Sequence, residues 1–301
     1  MKITKIEFNQ LMEEVDKDLQ EEGVEIHARP LHAVRKVVER LGIADPVPLT
    51  LGIPNKEDFR PEVLYSQIHN WYERRYGKRL QIHMGPGSIA ILIRGEAWEI
   101  ELPPIFGSVK LVCDPCIERY RDLPRMGRSG AIPVYNVLLA IKNLSEDLAR
   151  SLSVREQEYI FKHFRHGLNA LQTLLRFVQG PFIREALIDL ESAVNNLVDK
   201  HPHYGVSKWS SLQFTEKIIK SKLQQHQIIF PTTHRLSRLA GLYNEKSLGE
   251  IDLGLLNKIQ CSAGVRYGEE EVSLTEAIEA HHSSIKVLRA LFPMDSFKFK
   301  F

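Results

Sequence analysis

Apolar positions in the first 43 residues recur at helical spacing in two stretches. The first begins at about Lys5 and includes Ile6, Leu11 and Leu19; the second, residues 31–41, carries Leu31, Val34, Val37, Val38 and Leu41. The segment that follows, ADPVPLTLGIPNKEDFRP, holds four prolines and a glycine and reads as loop. A third helix is predicted over residues 62–76, after which the period shortens to that of strands. LQIHM, SIAILIR, AWEIELP and SVKLVC are short β-type segments. With Gly85-Pro86-Gly87 and Gly95-Glu96 as turns, they predict a small antiparallel meander.

From Pro133 onward the pattern is helical, with helices expected over 133–150, 154–178, 182–199, 208–225, 233–244, 251–265 and 273–292. Ser153 with Glu156, and Ser273 with Glu276, have the spacing of capping boxes. Gly180-Pro181, His201-Pro202, Phe230-Pro231 and Phe292-Pro293 set breaks. The last helix places Leu274, Ala277, Ile278, His281, Ile285, Leu288 and Phe292 on one stripe, the surface of a bundle. The final FKFKF alternates apolar and basic residues and fits an edge strand or a frayed end.

These elements predict an α+β protein in two parts. Residues 1–117 form an α+β unit with the meander, residues 118–130 a basic linker, and residues 131–301 an all-α region. The linker ERYRDLPRMGRSG holds Arg119, Arg121, Arg125 and Arg128 against Glu118 and Asp122, so it serves as a connector or as a loop that touches phosphates.

Composition narrows the function classes. The 301 residues are 43% hydrophobic and 26% charged, as in ordinary globular domains, which excludes a disordered chain or a rod. No apolar run approaches the roughly 18–20 residues of a membrane span, and the N-terminal residues lack the apolar core of a signal peptide. Three cysteines cannot form a disulfide framework. A cytoplasmic protein without a membrane partner is expected. Forty Lys and Arg against 38 Asp and Glu leave a net charge of +2, too balanced to mark a nucleic-acid partner on its own.

Residues 182–293 contain three short motifs in order. WSSLQFTEKIIKSKLQQH carries Glu216-Lys217 with Lys220 one turn later. FPTTHRLSRLAGLYNE follows, with Pro231, Thr233, His234, Leu236 and Leu239. AGVRYGEEE then supplies Arg266-Tyr267 ahead of a loop. With the opening helix FIREALIDLESAVNNLVDK, this region resembles the HEPN domain, a family named for its occurrence in prokaryotes and higher eukaryotes beside nucleotide-binding partners. The resemblance implies an up-and-down helical bundle that is commonly a homodimer. Residues 1–117 and 133–178 carry no such resemblance.

Enzymatic members of that family are metal-independent ribonucleases marked by Arg, four to six residues, then His. A cation stabilises the charged phosphorane and an imidazole moves the 2′-hydroxyl proton. Here Arg75–His83 and Arg155–His163 enclose seven residues, Arg79–His83 three and Arg29–His32 two, so the motif is absent. The resemblance therefore implies a non-catalytic binding and dimerisation module. Its partner is a nucleotide, RNA or another protein, and it needs no cofactor. Lys217, Lys220, His234, Arg235, Arg238, Arg266 and Tyr267 are the candidate ligand-binding residues. The alternative is an RNA endonuclease of a toxin or defence system, with a divergent site built from His234, Arg235 and Arg266.

Each candidate also has a structural reading. Arg235 and Arg238 share a helix face, as do Lys217 and Lys220, and both pairs suit either an anion pocket or a solvated surface. Arg266 faces the run Glu269–Glu271, which favours a local ion pair. Arg155, Lys162, His163, Arg165 and His166 form a basic helical stripe, a solvated face or a nucleic-acid contact. Cys113-Asp-Pro-Cys116 lacks a second pair for zinc and reads as packing. His281, on the apolar stripe, reads as a hydrogen-bonded core residue.

Overall fold

A computed structural model describes residues 3–44, 47–49, 58–80, 85–105, 107–121, 132–246 and 248–293. The Arg125 and Arg128 positions of the basic linker, most of the predicted LQIHM strand and the FKFKF segment lie outside them. The chain divides into two compact units, Met1–His83 and Met84–Phe301.

Among the described residues the first unit has three α-helices, α1 (Lys5–Glu21), α2 (Arg29–Leu41) and α3 (Pro61–Tyr76). Thr4 and Glu7 close a capping box at the start of α1, and Gly42 ends α2 in the left-handed conformation. Phe8, Met12, Val15 and Leu19 are the buried face of α1, meeting Val34 and Val37 of α2 and Leu64, Ile68 and Tyr72 of α3. Ile6 and Leu31, read as apolar positions of their helices, are exposed. Inside this core Asp16, only 3% exposed, accepts from Arg29 at 3.2 Å and from the Tyr76 hydroxyl. Arg29 also donates to the Val24 carbonyl at 2.9 Å.

In the second unit β1 (Gly87–Ile93) and β2 (Glu96–Leu102) form an antiparallel hairpin. Arg94 and Gly95, both at positive φ (52° and 84°), make its two-residue turn, as a type I′ connection requires. β3 (Lys110–Val112) does not extend this hairpin into the predicted meander. It is followed by α4 (Glu118–Arg121) and pairs in parallel with β4 (Val134–Asn136). The helix expected over 133–150 is thus replaced by β4, a single 3-10 turn and α5 (Glu146–Ser151). The reason is Asn136, whose buried side chain donates to the Asp114 carbonyl at 2.7 Å and accepts from the Asp114 and Leu138 amides. Those bonds hold Val134–Asn136 extended against β3.

Six helices follow: α6 (Val154–Leu175), α7 (Ile183–Val198), α8 (Tyr204–Gln225), α9 (Leu236–Glu245), α10 (Leu253–Ile259) and α11 (Leu274–Leu291). The capping boxes at Ser153 and Ser273 are both formed. The helix expected over 251–265 breaks after Ile259, and Ala263–Tyr267 is a 3-10 turn.

α8 is buried almost all round. Its small side chains Ser207, Ser210, Ser211 and Ser221 lie inside with Leu212, Phe214, Ile218 and Ile219. Ser207 donates to the Ala193 carbonyl of α7 at 2.8 Å.

The hairpin belongs to this helical unit, whereas the pattern reading grouped it with residues 1–117. Ile89, Ile91 and Ile93 join the core that contains Phe164 and Leu168 of α6, while Ala90 faces Val194, Ala277 and Ile278 of α7 and α11. A strand covered on both faces cannot leave its partners without exposing both sides. Gly167 lets α6 approach, since a Cβ there would lie 2.8 Å from the Ile89 Cδ1 atom.

Candidate functional site

Trp209, Gln213, Glu216 and Lys220 fall at i, i+4, i+7 and i+11, so α8 presents them as one stripe. Glu216 is the pivot. Although only 4% exposed, its two carboxylate oxygens are both used. One accepts from the Lys220 ammonium at 2.6 Å and the other from His234 Nδ1 at 2.7 Å. That bond places the hydrogen on Nδ1 and leaves Nε2 as the imidazole's free nitrogen. The Gln213 amide nitrogen, 3.4 Å from Nδ1, is a donor facing a donor and does not compete.

His234 sits in the segment leading into α9, which Gln260 pins from both sides. Gln260 accepts from the Leu236 amide at 2.9 Å and donates to the His234 carbonyl at 3.3 Å. The Thr233 hydroxyl accepts from the Arg235 amide at 3.1 Å. The His234 ring lies 5.8 Å from Trp209, centroid to centroid. Arg266 also meets Trp209, with its guanidinium carbon 5.3 Å from the indole and 5.4 Å from the Tyr267 ring. Arg266, Trp209, His234 and Glu216 are therefore linked in space, each in contact with the next.

Arg266 was expected to pair with Glu269–Glu271; among the described residues it makes no ion pair and rests on two aromatic rings instead. Glu270 is held by the Ser262 hydroxyl at 2.5 Å. Lys217 and Lys220 do not form one free cationic face. Lys217 bonds Asp189 of α7 at 2.5 Å, and Lys220 is taken by Glu216. Burial pushes the Asp189 carboxyl up, opposed by its hydrogen bond from Lys217. Arg235 and Arg238 are exposed at the start of α9. Trp209 is the site residue that motif spacing missed. Only its position two turns before Glu216 on the same stripe could have singled it out.

Beside Arg266 and the 70% exposed Tyr267 opens a cavity of about 670 Å³, also lined by His203, Gly205, Glu270 and Glu276. Its carboxylates repel phosphate and suit hydroxyl groups, whereas the Arg266–Trp209–His234 side offers a cation, an indole face and an imidazole nitrogen. A guanidinium stacked on aromatic rings keeps its N–H edge available for bidentate contact with a phosphate.

The cysteines lie elsewhere. Cys113 and Cys116 are half-buried free thiols, and burial beside Asp114 pushes Cys113 up to about 12. No group of three or more His, Cys, Asp or Glu among the described residues is arranged to hold a metal. No described helix is long and apolar enough to cross a membrane.

Residues 181–292 match the family model of the HEPN domain. The C-terminal region of the chain is a HEPN domain, and it contains every element of the strip just described. No curated protein and no solved structure matches the chain.

Proposed function

We propose that the HEPN domain is a non-catalytic binding module that takes a nucleotide or an RNA end on the strip formed by Arg266, Trp209, Tyr267 and His234. The observation that carries this reading is Arg266, unpaired by any described carboxylate and held over two aromatic rings. A planar base adds to such a stack while a phosphate meets the guanidinium edge. Lys217 and Lys220 then have a structural role, anchoring α8 to α7 and holding Glu216. Arg235 and Arg238 extend the positive surface beside His234. Homodimerisation, common in this domain class, supplies a second copy of the strip.

A mononucleotide titration followed by tryptophan fluorescence tests the reading. Saturable quenching is expected, lost in Trp209→Phe and weakened about tenfold or more in Arg266→Ala. Absence of saturable binding to nucleotide and to short RNA contradicts it and leaves a protein partner as the occupant.

The Glu216–His234 pair favours a second reading, an RNA-cleaving site. A carboxylate on Nδ1 orients an imidazole with Nε2 outward, which is how a general base is held. Arg266, on the adjoining ring, would be the cation. The absent Arg-x4–6-His spacing argues against this reading.

A further inference from the structure

The basic stripe on α6 is joined in the fold by a second set of cations from α11. Lys286 and Arg289 line the same small pocket as His163, His166 and His282. Arg289, Arg165, Lys162 and Lys286 all act on the His166 imidazole through their charge. Arg29, Lys36, Arg40, Lys142, Lys217 and Lys258 each meet a carboxylate among the described residues. Among the described residues Arg155, Lys162, Lys286 and Arg289 make no ion pair. Of the nearby carboxylates, Glu156 is committed to Arg94 at 3.0 Å and Glu279 to Lys258 at 3.1 Å, while Glu158, one turn from Lys162, is exposed and makes no ion pair with it. Cations drawn from two helices and without ion pairs create a local positive potential that attracts an anion.

The stripe is also extended and carries rings. Arg155, Tyr159, Lys162, His163 and His166 occupy one face of α6, and the eleven steps from 155 to 166 rise about 16 Å. The Tyr159 ring lies 4.4 Å from His163 and the His163 ring 4.1 Å from His282, both pairs tilted. At the N-terminal end of the stripe, Tyr159, Arg155, Arg94 and Leu92 line an open cleft of about 250 Å³. That exceeds the roughly 150 Å³ that admits a benzene ring.

We propose that the α6–α11 face is a binding track for a single-stranded polynucleotide, with phosphates on Lys162, His166, Lys286 and Arg289 and a base in the Tyr159 cleft. A row of cations beside an aromatic cleft matches a strand of alternating phosphates and bases; a free phosphate would use only one end of it. The inference shares a ligand class with the reading above but none of its residues, so the two fail separately.

The test uses the full chain and a fluorescein-labelled 12-nucleotide single-stranded RNA, followed by anisotropy. Saturable binding is expected, at least tenfold weaker in the exposed charge reversal Lys286→Glu/Arg289→Glu, with thermal unfolding unchanged. The slope of log affinity on log salt should fall by about 1.4, two phosphate contacts at roughly 0.7 each. Lys162→Glu, on the other helix, should weaken binding in the same direction and guards against a folding defect of the double variant. Lys17→Glu, on α1 of the first unit and 77% exposed, should leave this affinity within twofold. The proposal is overturned if the strand does not bind, if neither reversal weakens it, or if orthophosphate or AMP displaces it as well as unlabelled strand does. Equal displacement by acidic phospholipid vesicles overturns it in favour of a membrane surface.

Discussion

His281 accepts the amide hydrogen of Ala90 on its Nε2 at 3.1 Å, across 191 positions of sequence. The next residue, His282, donates its own Nε2 hydrogen to the Ala90 carbonyl at 2.9 Å. Two adjacent histidines of α11 thus hold both backbone groups of one residue of β1, and they do so in opposite tautomers. Replacing His281 with Leu keeps the volume but leaves the Ala90 amide buried without an acceptor, a loss of about 1–3 kcal/mol. Urea unfolding should register that loss, and amide exchange at Ala90 should accelerate. Unchanged exchange would show that the bond does not hold the hairpin.

The same histidines make stability depend on acid. Burial, with help from neighbouring imidazoles and cations, pushes His163 and His281 down to about 3 and His166 and His282 down to about 4. In the unfolded chain they titrate near 6.5, so on acidification the unfolded state takes up protons first. The neutral-histidine contribution is complete above about pH 6.5 and is lost as pH falls toward 4 and then 3. Each fully buried imidazole changes stability by up to about 1.4 kcal/mol per pH unit in that window. Urea midpoints at pH 7, 6 and 5 should fall progressively, and His281→Leu should show a shallower fall. A flat profile between pH 7 and 5 would contradict the assignment of neutral, buried rings.

In the first unit Asp16 is the sole partner of Arg29 among the described carboxylates, and both are buried. Asp16→Ala leaves a buried guanidinium uncompensated and should destabilise the unit by about 3–5 kcal/mol. Asp16→Asn, which can still accept from Arg29 and Tyr76, should cost less. Thermal unfolding of the two variants orders them, and equal effects would remove the charge from the explanation.

Gly205 tests how the nucleotide strip is positioned. A Cβ at this second residue of α8 would lie 2.1 Å from the Val265 carbonyl oxygen, which is backbone and cannot swing aside. Gly205→Ala should push the 263–267 turn outward, carry Arg266 off Trp209 and destabilise the domain by about 1–3 kcal/mol. Gly241→Ala is the control, because a Cβ there meets nothing within 4 Å in the middle of α9. It should be neutral or stabilising by about 0.5–1 kcal/mol. Equal behaviour of the two variants would contradict the close approach at Gly205.

The amphipathic helices and their starts were readable in the sequence because periodicity and capping boxes are local signals; Ser153, Ser273 and the stripe on α11 are examples. The HEPN domain was readable from the order of three motifs. Strand partnership was not. β3 has a pattern that suits a meander, and only the long-range bonds between Asn136 and Asp114 divert it to β4. The hairpin's allegiance was hidden for a similar reason, since its second buried face at Ala90 carries one small residue. At the candidate site His234 and Arg266 could be named from motifs, but their shared neighbour Trp209 became visible only when α8 aligned it with Glu216. The partners of Lys217 and Lys220 were equally invisible, because Asp189 lies 28 residues away and no local signal marks Glu216 as buried.

The central claim is that the Arg266–Trp209–His234 strip binds without cleaving. Incubating the protein with labelled RNA in EDTA, beside His234→Ala, tests it most directly. The account predicts intact RNA in both samples, with retention on a filter by the wild type that weakens in the variant. Cleavage by the wild type that disappears in a folded His234→Ala would contradict it and make His234 a general base.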